Sequence, residues 1–364
     1  MTKAYQLATI LAQAGIKSDD ATGSLVAPIH LSTTYQHPEF GKSTGFDYTR
    51  TKNPTRSALE ETLAKIEQAA YAIATSSGMS AVVLAFSVFA YGSKVVAARD
   101  LYGGSFRWFN NQESEGRFSV TYANTEEEMI AAIDESTDVV YVETPTNPLM
   151  VEFDIAKVAK VAHDKGAKVL VDNTFYSPVY QNPIPLGADI VIHSATKYLS
   201  GHNDVLAGVV ITDNTELFET LMYHYNTTGP NLSPLDSYLL MRGLKTLKIR
   251  MEAVTKNAQE LAVFLDNHVA VKEVLYTGKG GMISFKVKDK GKIPALLNSL
   301  KVISFAESLG GVESLMTYPA TQTHADIPAE VRFSYGLSDN LLRLSVGIED
   351  VEDLKADLEQ ALSK

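Results

Sequence analysis

Between residues 72 and 212 the chain alternates in a way that admits few folds. Short apolar runs, AIAT (72–75), VVAA (95–98), VVYVE (139–143), KVLVD (168–172), DIVIH (189–193) and GVVIT (208–212), are separated by longer segments with helical spacing, such as FDIAKVAKVAHDKG (153–166). A strand that is apolar on both faces must be covered on both, and helical connections provide that cover. The pattern therefore predicts an α/β fold built on a mostly parallel sheet. Sheets of this kind take their ligands at the carboxyl ends of the strands.

Around this region, SALEETLAKIEQ (57–68) reads as a helix, with Ser57 and Glu60 as a capping box and Leu59, Leu63 and Ile66 as its apolar stripe. AVVLAFSVFAYG (81–92) is too short to span a bilayer and reads as a buried helix. A long helical pattern over 237–268 leads to MISFKV (282–287) and later LLRLSVG (341–347), which predicts a second, smaller α+β domain. The expected division is an arm at 1–50, a main domain at 51–236 and a C-terminal domain at 237–364. With 364 residues there is enough chain for both cores.

Composition narrows the chemistry. There is no cysteine, so thiolate catalysis and disulfides are excluded, and a reducing compartment fits. A net charge of −11 argues against tracking a nucleic-acid backbone. The N-terminal MTKAYQLATILAQAG lacks a secretory h-region. The expectation is a cytoplasmic enzyme of small molecules, with neither nucleic acid nor membrane as partner.

The strand ends carry the candidate chemistry. After AIAT comes SSGMS (76–80) and a helix, a glycine turn that can offer N–H groups of Gly78 and Met79 to an anion, or can simply be a turn. Asp172 ends one strand, where it serves either a ligand or a helix cap. Lys197 follows another, in HSATKYLSGH, where the alternative is a solvated surface charge. A lysine, a carboxylate and an anion cradle at strand ends suit pyridoxal phosphate: amine for the aldehyde, acid for the ring nitrogen, N–H and hydroxyl groups (Ser194, Thr196) for the phosphate. Tyr102, in DLYGGSFR, offers an aromatic face for the ring. Arg343 on its alternating strand is either a carboxylate clamp or half of an ion pair. His193, His202 and His224 lack metal-ligand spacing and read as satisfied polar residues, and GKGG (278–281) is not a dinucleotide fingerprint.

YTRTKNPT, SSGMSA, DLYGGS, VETPTNP, VDNTF, HSATKYLSGH, RGLKTL, AESLGGVESL and LLRLSVGIED occur in that order along nearly the whole chain. Together they resemble the Cys/Met-metabolism family of fold-type-I pyridoxal-phosphate enzymes, which have an aspartate aminotransferase-like fold. The resemblance implies that Lys197 is the Schiff-base lysine and proton shuttle, Asp172 the pyridinium partner, and Tyr102 the stacking ring and an acid or base. It implies further that Thr174, Ser194, Thr196, Gly78 and Met79 line the cofactor, and that Asn147, Ser308 and Arg343 receive the substrate, with Arg343 on its α-carboxylate. Tyr48 and Arg50 would serve the phosphate of a neighbouring subunit, within a homotetramer built as a dimer of dimers.

Within that family the resemblance leans toward cystathionine γ-lyase, which releases cysteine, 2-oxobutanoate and ammonia from cystathionine in transsulfuration. Glu307 stands where γ-acting members carry glutamate, and Arg107 where γ-lyases carry arginine. The γ-synthase and β-lyase activities are the alternatives, as is an inactive scaffold. The connection between VLYTG (274–278) and GGMISFKV (280–287) is shorter than is usual in the family.

Overall fold

The structure is a computed structural model and describes residues 5–364; the first four residues of the expected arm lie outside the described residues. In chain order the strands are β1 (Tyr71–Thr75), β2 (Ser93–Ala98), β3 (Phe118–Ala123), β4 (Val139–Glu143), β5 (Lys168–Asp172), β6 (Ile190–His193), β7 (Gly208–Thr212), β8 (Val271–Leu275), β9 (Met282–Val287), β10 (Ser304–Phe305), β11 (Leu315–Thr317) and β12 (Leu341–Ser345). Two compact units are present, residues 5–90 with 170–248 and residues 91–169 with 249–364.

In the first unit the strand order is β1-β7-β6-β5. β5 and β6 are parallel, but β7 runs antiparallel to both β6 and β1. The apolar runs therefore correctly mark the strands, and the expected mostly parallel direction holds with β7 as its exception. GVVIT follows HSATKYLSGHNDVLA with no intervening helix, so no helical crossover reverses the chain to make β7 parallel to β6.

The Pro54–Ile66 helix starts earlier than the Ser57/Glu60 capping box predicts, and that box does not form. Asn53 is the cap, its Oδ1 accepting from Thr55 N at 3.0 Å and Arg56 N at 3.3 Å, with Pro54 in the first turn. Glu60 instead accepts from Ala74 N of β1 at 2.9 Å. Residues 5–50 contain one short helix, Leu7–Ala12, followed by turns, bends and isolated bridges; the buried Asn53 Nδ2 donates to His30 O, Tyr35 Oη and Thr49 Oγ1 and ties the segment down.

The second unit holds three strands of the seven-stranded sheet and all of a five-stranded one. β4-β2-β3 is wholly parallel, and β10-β11-β12-β9-β8 is mainly antiparallel. β3 has no counterpart among the runs read from sequence, because its residues alternate in burial as those of an edge strand do. The predicted 237–268 helix is two helices, Pro234–Leu244 and Leu247–Asn267, broken at Lys245–Thr246. The short 274–287 connection is a hairpin between antiparallel β8 and β9, closed by Tyr276 Oη donating to Gly280 O at 3.0 Å.

Candidate active site

Asp172 and Lys197 stand at adjacent strand ends. Asp172 is in parallel register with Ile192, which immediately precedes His193 and the HSATK turn. Below them, a buried set holds the strand ends together. Glu67 Oε1 meets His193 Nε2 at 2.6 Å and accepts from Asn173 Nδ2 at 2.9 Å, while Asn182 Nδ2 donates to Glu67 Oε2 at 3.1 Å. Thr174 N donates to Asp172 Oδ1 at 3.0 Å, and Thr174 Oγ1 accepts from Ser194 N at 2.8 Å. Lys197 N donates to Ser194 O at 3.1 Å, and Gly201 N to Lys197 O at 2.9 Å. Thr196 is pinned to Ala207 by its N–H and its hydroxyl. The turn that carries the lysine is thus fixed at most of its residues, and Asp172 and Lys197 are both only partly buried.

The expected anion cradle belongs to the same unit. Ser77 caps the Gly78–Phe86 helix, accepting from Ser80 N, and the first turn of that helix lies against Ser194. A Cβ on Gly78 would meet Ser194 Cβ at 2.7 Å and Oγ at 2.8 Å, so only glycine permits the approach. A helix N-terminus beside serine and threonine hydroxyls is the donor set a phosphate needs, and a carboxylate with a lysine supplies the rest of what pyridoxal phosphate requires. The residues present fit that group. Tyr48 and Arg50 lie elsewhere in this unit, exposed, with the Arg50 guanidinium 5.2 Å from the Tyr48 ring centroid and its Nε donating to Asn226.

The second unit buries Arg343, the arginine expected to clamp a carboxylate. Arg343, 1% exposed, donates from Nη1 to Asn147 Oδ1 at 2.8 Å and from Nη2 to Ser308 O at 3.0 Å and Thr317 Oγ1 at 3.2 Å. It lies opposite Ser284 on β9 and Thr317 on β11, and Ser284 Oγ donates to Pro148 O at 2.6 Å. Asn147 is held through its carbonyl as well, by His324 Nε2 at 3.0 Å. Tyr102 is partly exposed at the start of the Gly103–Ser114 helix, its N–H bound by the buried Glu143 at 3.0 Å.

Two of the expected substrate residues are less committed. Arg107 pairs with Asp326 at 2.5 Å, with both side chains exposed, and Glu307 is exposed beside Ser308. Sequence reasoning missed Ser284, Thr317, His324 and Glu143. The first two face Arg343 only through strand register, and the others act through backbone atoms, so no local motif marks them. Of the histidines, His202 Nδ1 is 2.7 Å from Ser200 O and the His224 ring packs edge-on against Tyr223. Among the described residues no helix is long and apolar enough to cross a membrane.

Comparison with known proteins converges on one family. The sequence family described as Cys/Met metabolism PLP-dependent enzyme matches residues 8–363. A cystathionine γ-synthase/O-acetylhomoserine (thiol)-lyase of Bacillus subtilis is 52% identical, covering 97% of this chain and 95% of the relative. The cystathionine γ-synthase of Haemophilus influenzae is 49% identical over 100% and 99% of the two chains, and a B. subtilis cystathionine γ-lyase 45% identical over 97% and 98%. The crystal structure of cystathionine γ-synthase from Xanthomonas oryzae in complex with cystathionine has a TM-score of 0.97 at 40% identity, covering 99% of this chain and 98% of that one. The fold is that of fold-type-I pyridoxal-phosphate enzymes, a mostly parallel sheet with a second sheet. The chain belongs to the Cys/Met-metabolism family of pyridoxal-phosphate-dependent enzymes, which make and break carbon–sulfur bonds.

Proposed function

We propose that the protein is a cystathionine γ-synthase, replacing the acyloxy group of an O-acylated homoserine with the sulfur of cysteine. One observation carries this choice over the γ-lyase expected from sequence: the relatives at 52% and 49% identity bear the synthase name, and the γ-lyase of B. subtilis stands at 45%. Glu307 and Arg107 suit either γ activity, since in both a leaving group departs from Cγ of an amino acid with a homoserine-type carbon skeleton.

Lys197 takes the proton from Cα and returns protons later in the reaction, while Asp172 keeps the cofactor's ring nitrogen protonated. Pyridoxal phosphate, when bound, supplies the electron sink that makes the Cα and Cβ protons removable. Arg343 holds the α-carboxylate in a planar two-donor grip oriented by Asn147, Ser308 and Thr317. Tyr102 would cover the ring of the bound cofactor and would serve as acid or base. Thr174, Ser194 and Thr196 with the N–H groups of Gly78 and Met79 hold the phosphate. At Cγ the carbon–oxygen bond breaks, the acid leaves, and a carbon–sulfur bond forms as the thiol gives up its proton. A γ-lyase would instead lose sulfur from Cγ and let water finish the reaction.

Residues 1–50 act as an arm to a neighbouring subunit, 51–236 as the cofactor-binding part and 237–364 as the C-terminal part. Tyr48 and Arg50 supplement the neighbour's phosphate site in a cytoplasmic homotetramer.

The test incubates the purified holoenzyme with O-acetylhomoserine and cysteine, and separately with cystathionine alone. Cystathionine forming in the first and little oxoacid in the second is the expected result. Rapid 2-oxobutanoate from cystathionine would restore the γ-lyase assignment, and pyruvate would point to β-lyase chemistry.

A further inference from the structure

His324 is 1% exposed, and its two ring nitrogens do different things. Nε2 lies 3.2 Å from Leu101 O and 3.0 Å from Asn147 O. Carbonyls only accept, so Nε2 carries a proton and shares it between both. Nδ1 lies 2.9 Å from Thr323 Oγ1 and, in the neutral ring, accepts from that hydroxyl. Burial, reinforced by the nearby Arg343 charge, pushes the imidazole pKa down to about 4; the two carbonyl bonds oppose this and Arg332 adds to it. The ring is neutral through the physiological range, and the tautomer is fixed by its neighbours.

Both carbonyls belong to segments with assigned work. Leu101 immediately precedes Tyr102, whose own N–H is held by Glu143. Asn147 places Oδ1 on Arg343. The segment that carries His324 is pressed against the same turn, since a Cβ on Gly103 would stand 2.1 Å from Thr323 O. A single buried donor therefore links the backbone under the aromatic ring to the backbone under the carboxylate clamp.

We propose that His324 is a positioning residue for the reaction, fixing the Tyr102 turn and the Asn147–Arg343 clamp in common register through one Nε2–H shared by Leu101 O and Asn147 O. The inference rests on the roles given above to Tyr102, Asn147 and Arg343. His324 itself touches no reacting atom. Its absence leaves both loops folded but free to drift, which weakens grip on the α-carboxylate and misaligns the ring face.

The test compares the holoenzyme with H324F, which keeps a ring but no donor, H324Q, which restores a donor, and T323V, which removes only the hydroxyl that orients the imidazole. All are checked for cofactor content by the visible absorbance of the bound group. H324F should raise KM for the amino-acid substrate and lower kcat/KM by roughly 10- to 100-fold, with cofactor content retained. H324Q should recover most of the loss, and T323V should move KM in the same direction by roughly two- to fivefold. Unchanged KM in H324F, or equal loss in H324F and H324Q, overturns the proposal. Should H324F not fold, unchanged KM in T323V overturns it. R343K measured alongside separates the premises: if KM ignores that change, the clamp assignment itself fails, whatever the His324 variants do.

Discussion

Gly78→Ala probes the cradle with a single methyl group. The added Cβ would stand 2.7 Å from Ser194 Cβ, 2.8 Å from its Oγ and 3.1 Å from its Cα, against an ordinary contact of 3.4 Å or more. Ser194 cannot turn away freely, because its N–H is bound to Thr174 Oγ1 at 2.8 Å and its carbonyl accepts from Lys197 N at 3.1 Å. The gap must open by about 0.7 Å, the difference between 3.4 and 2.7 Å, at an overpacking cost of ~1–3 kcal/mol. Alanine in a helix gains up to ~1 kcal/mol over glycine, which offsets only part of this. Displacing Ser194 moves the anchor of the lysine turn and widens the anion site. Cofactor affinity should fall roughly 5- to 100-fold with the fold retained. Titrating the apoenzyme with pyridoxal phosphate by absorbance, with circular dichroism as a fold control, measures it. The same substitution in a Ser194→Gly background should cost much less, because Cβ and Oγ are gone. Wild-type affinity in Gly78→Ala, or equal loss in both backgrounds, would refute the steric account.

Two further outcomes test buried polar groups. Burial pushes the Asp100 carboxyl from 3.8 up to about 7, against the opposing bonds from Thr146 and Leu149 N. The folded state then holds a proton that the unfolded chain releases, so this stabilisation is complete below the unfolded pKa and is lost as pH rises from about 4 to about 7. Asp100→Asn removes the titration, so wild type should lose up to ~4 kcal/mol relative to the variant across that window, read by denaturant unfolding; parallel pH profiles would contradict it. Asn53→Ala removes the one cap acceptor, Oδ1, with its two hydrogen bonds and the three donations that tether residues 30, 35 and 49, which should cost ~2–4 kcal/mol. Asn53→Asp, which keeps the acceptors, should fall between in Tm.

The strands β1, β2, β4, β5, β6 and β7 were legible because each carries a short apolar run bounded by turn residues, and both signals are local, whereas β3 alternates and was not. The mostly parallel direction was legible too, with β7 as the exception: it looks like its neighbours in composition, and the chain returning through residues 194–207 without a helix turns it antiparallel. The Ser57/Glu60 spacing failed as a cap for a related reason. Glu60 finds Ala74 N, a partner on another element, and Asn53 with Pro54 supplies a better start to the helix. In the site, Asp172, Lys197, Ser194 and Gly78 come from short segments whose spacing survives folding, so the order of motifs carried them. Ser284, Thr317 and His324 hold Arg343 and Asn147 through strand register and backbone carbonyls, relations that exist only once β9, β11 and β12 have paired. The same distinction explains why synthase and lyase could not be separated by motif. Both would use the acid, the lysine and the carboxylate clamp, and differ in whether a thiol adds at the activated Cγ or a proton is delivered there and water then hydrolyses the imine at Cα. Glu307 and Arg107 are exposed, and Arg107 already has Asp326 as its partner, so an exposed pair of this kind contributes little fixed energy and can be exchanged for a substrate charge. Selectivity of that sort rests on small differences in free energy between thiol addition and protonation at Cγ rather than on which residues are present, and motifs record only the latter.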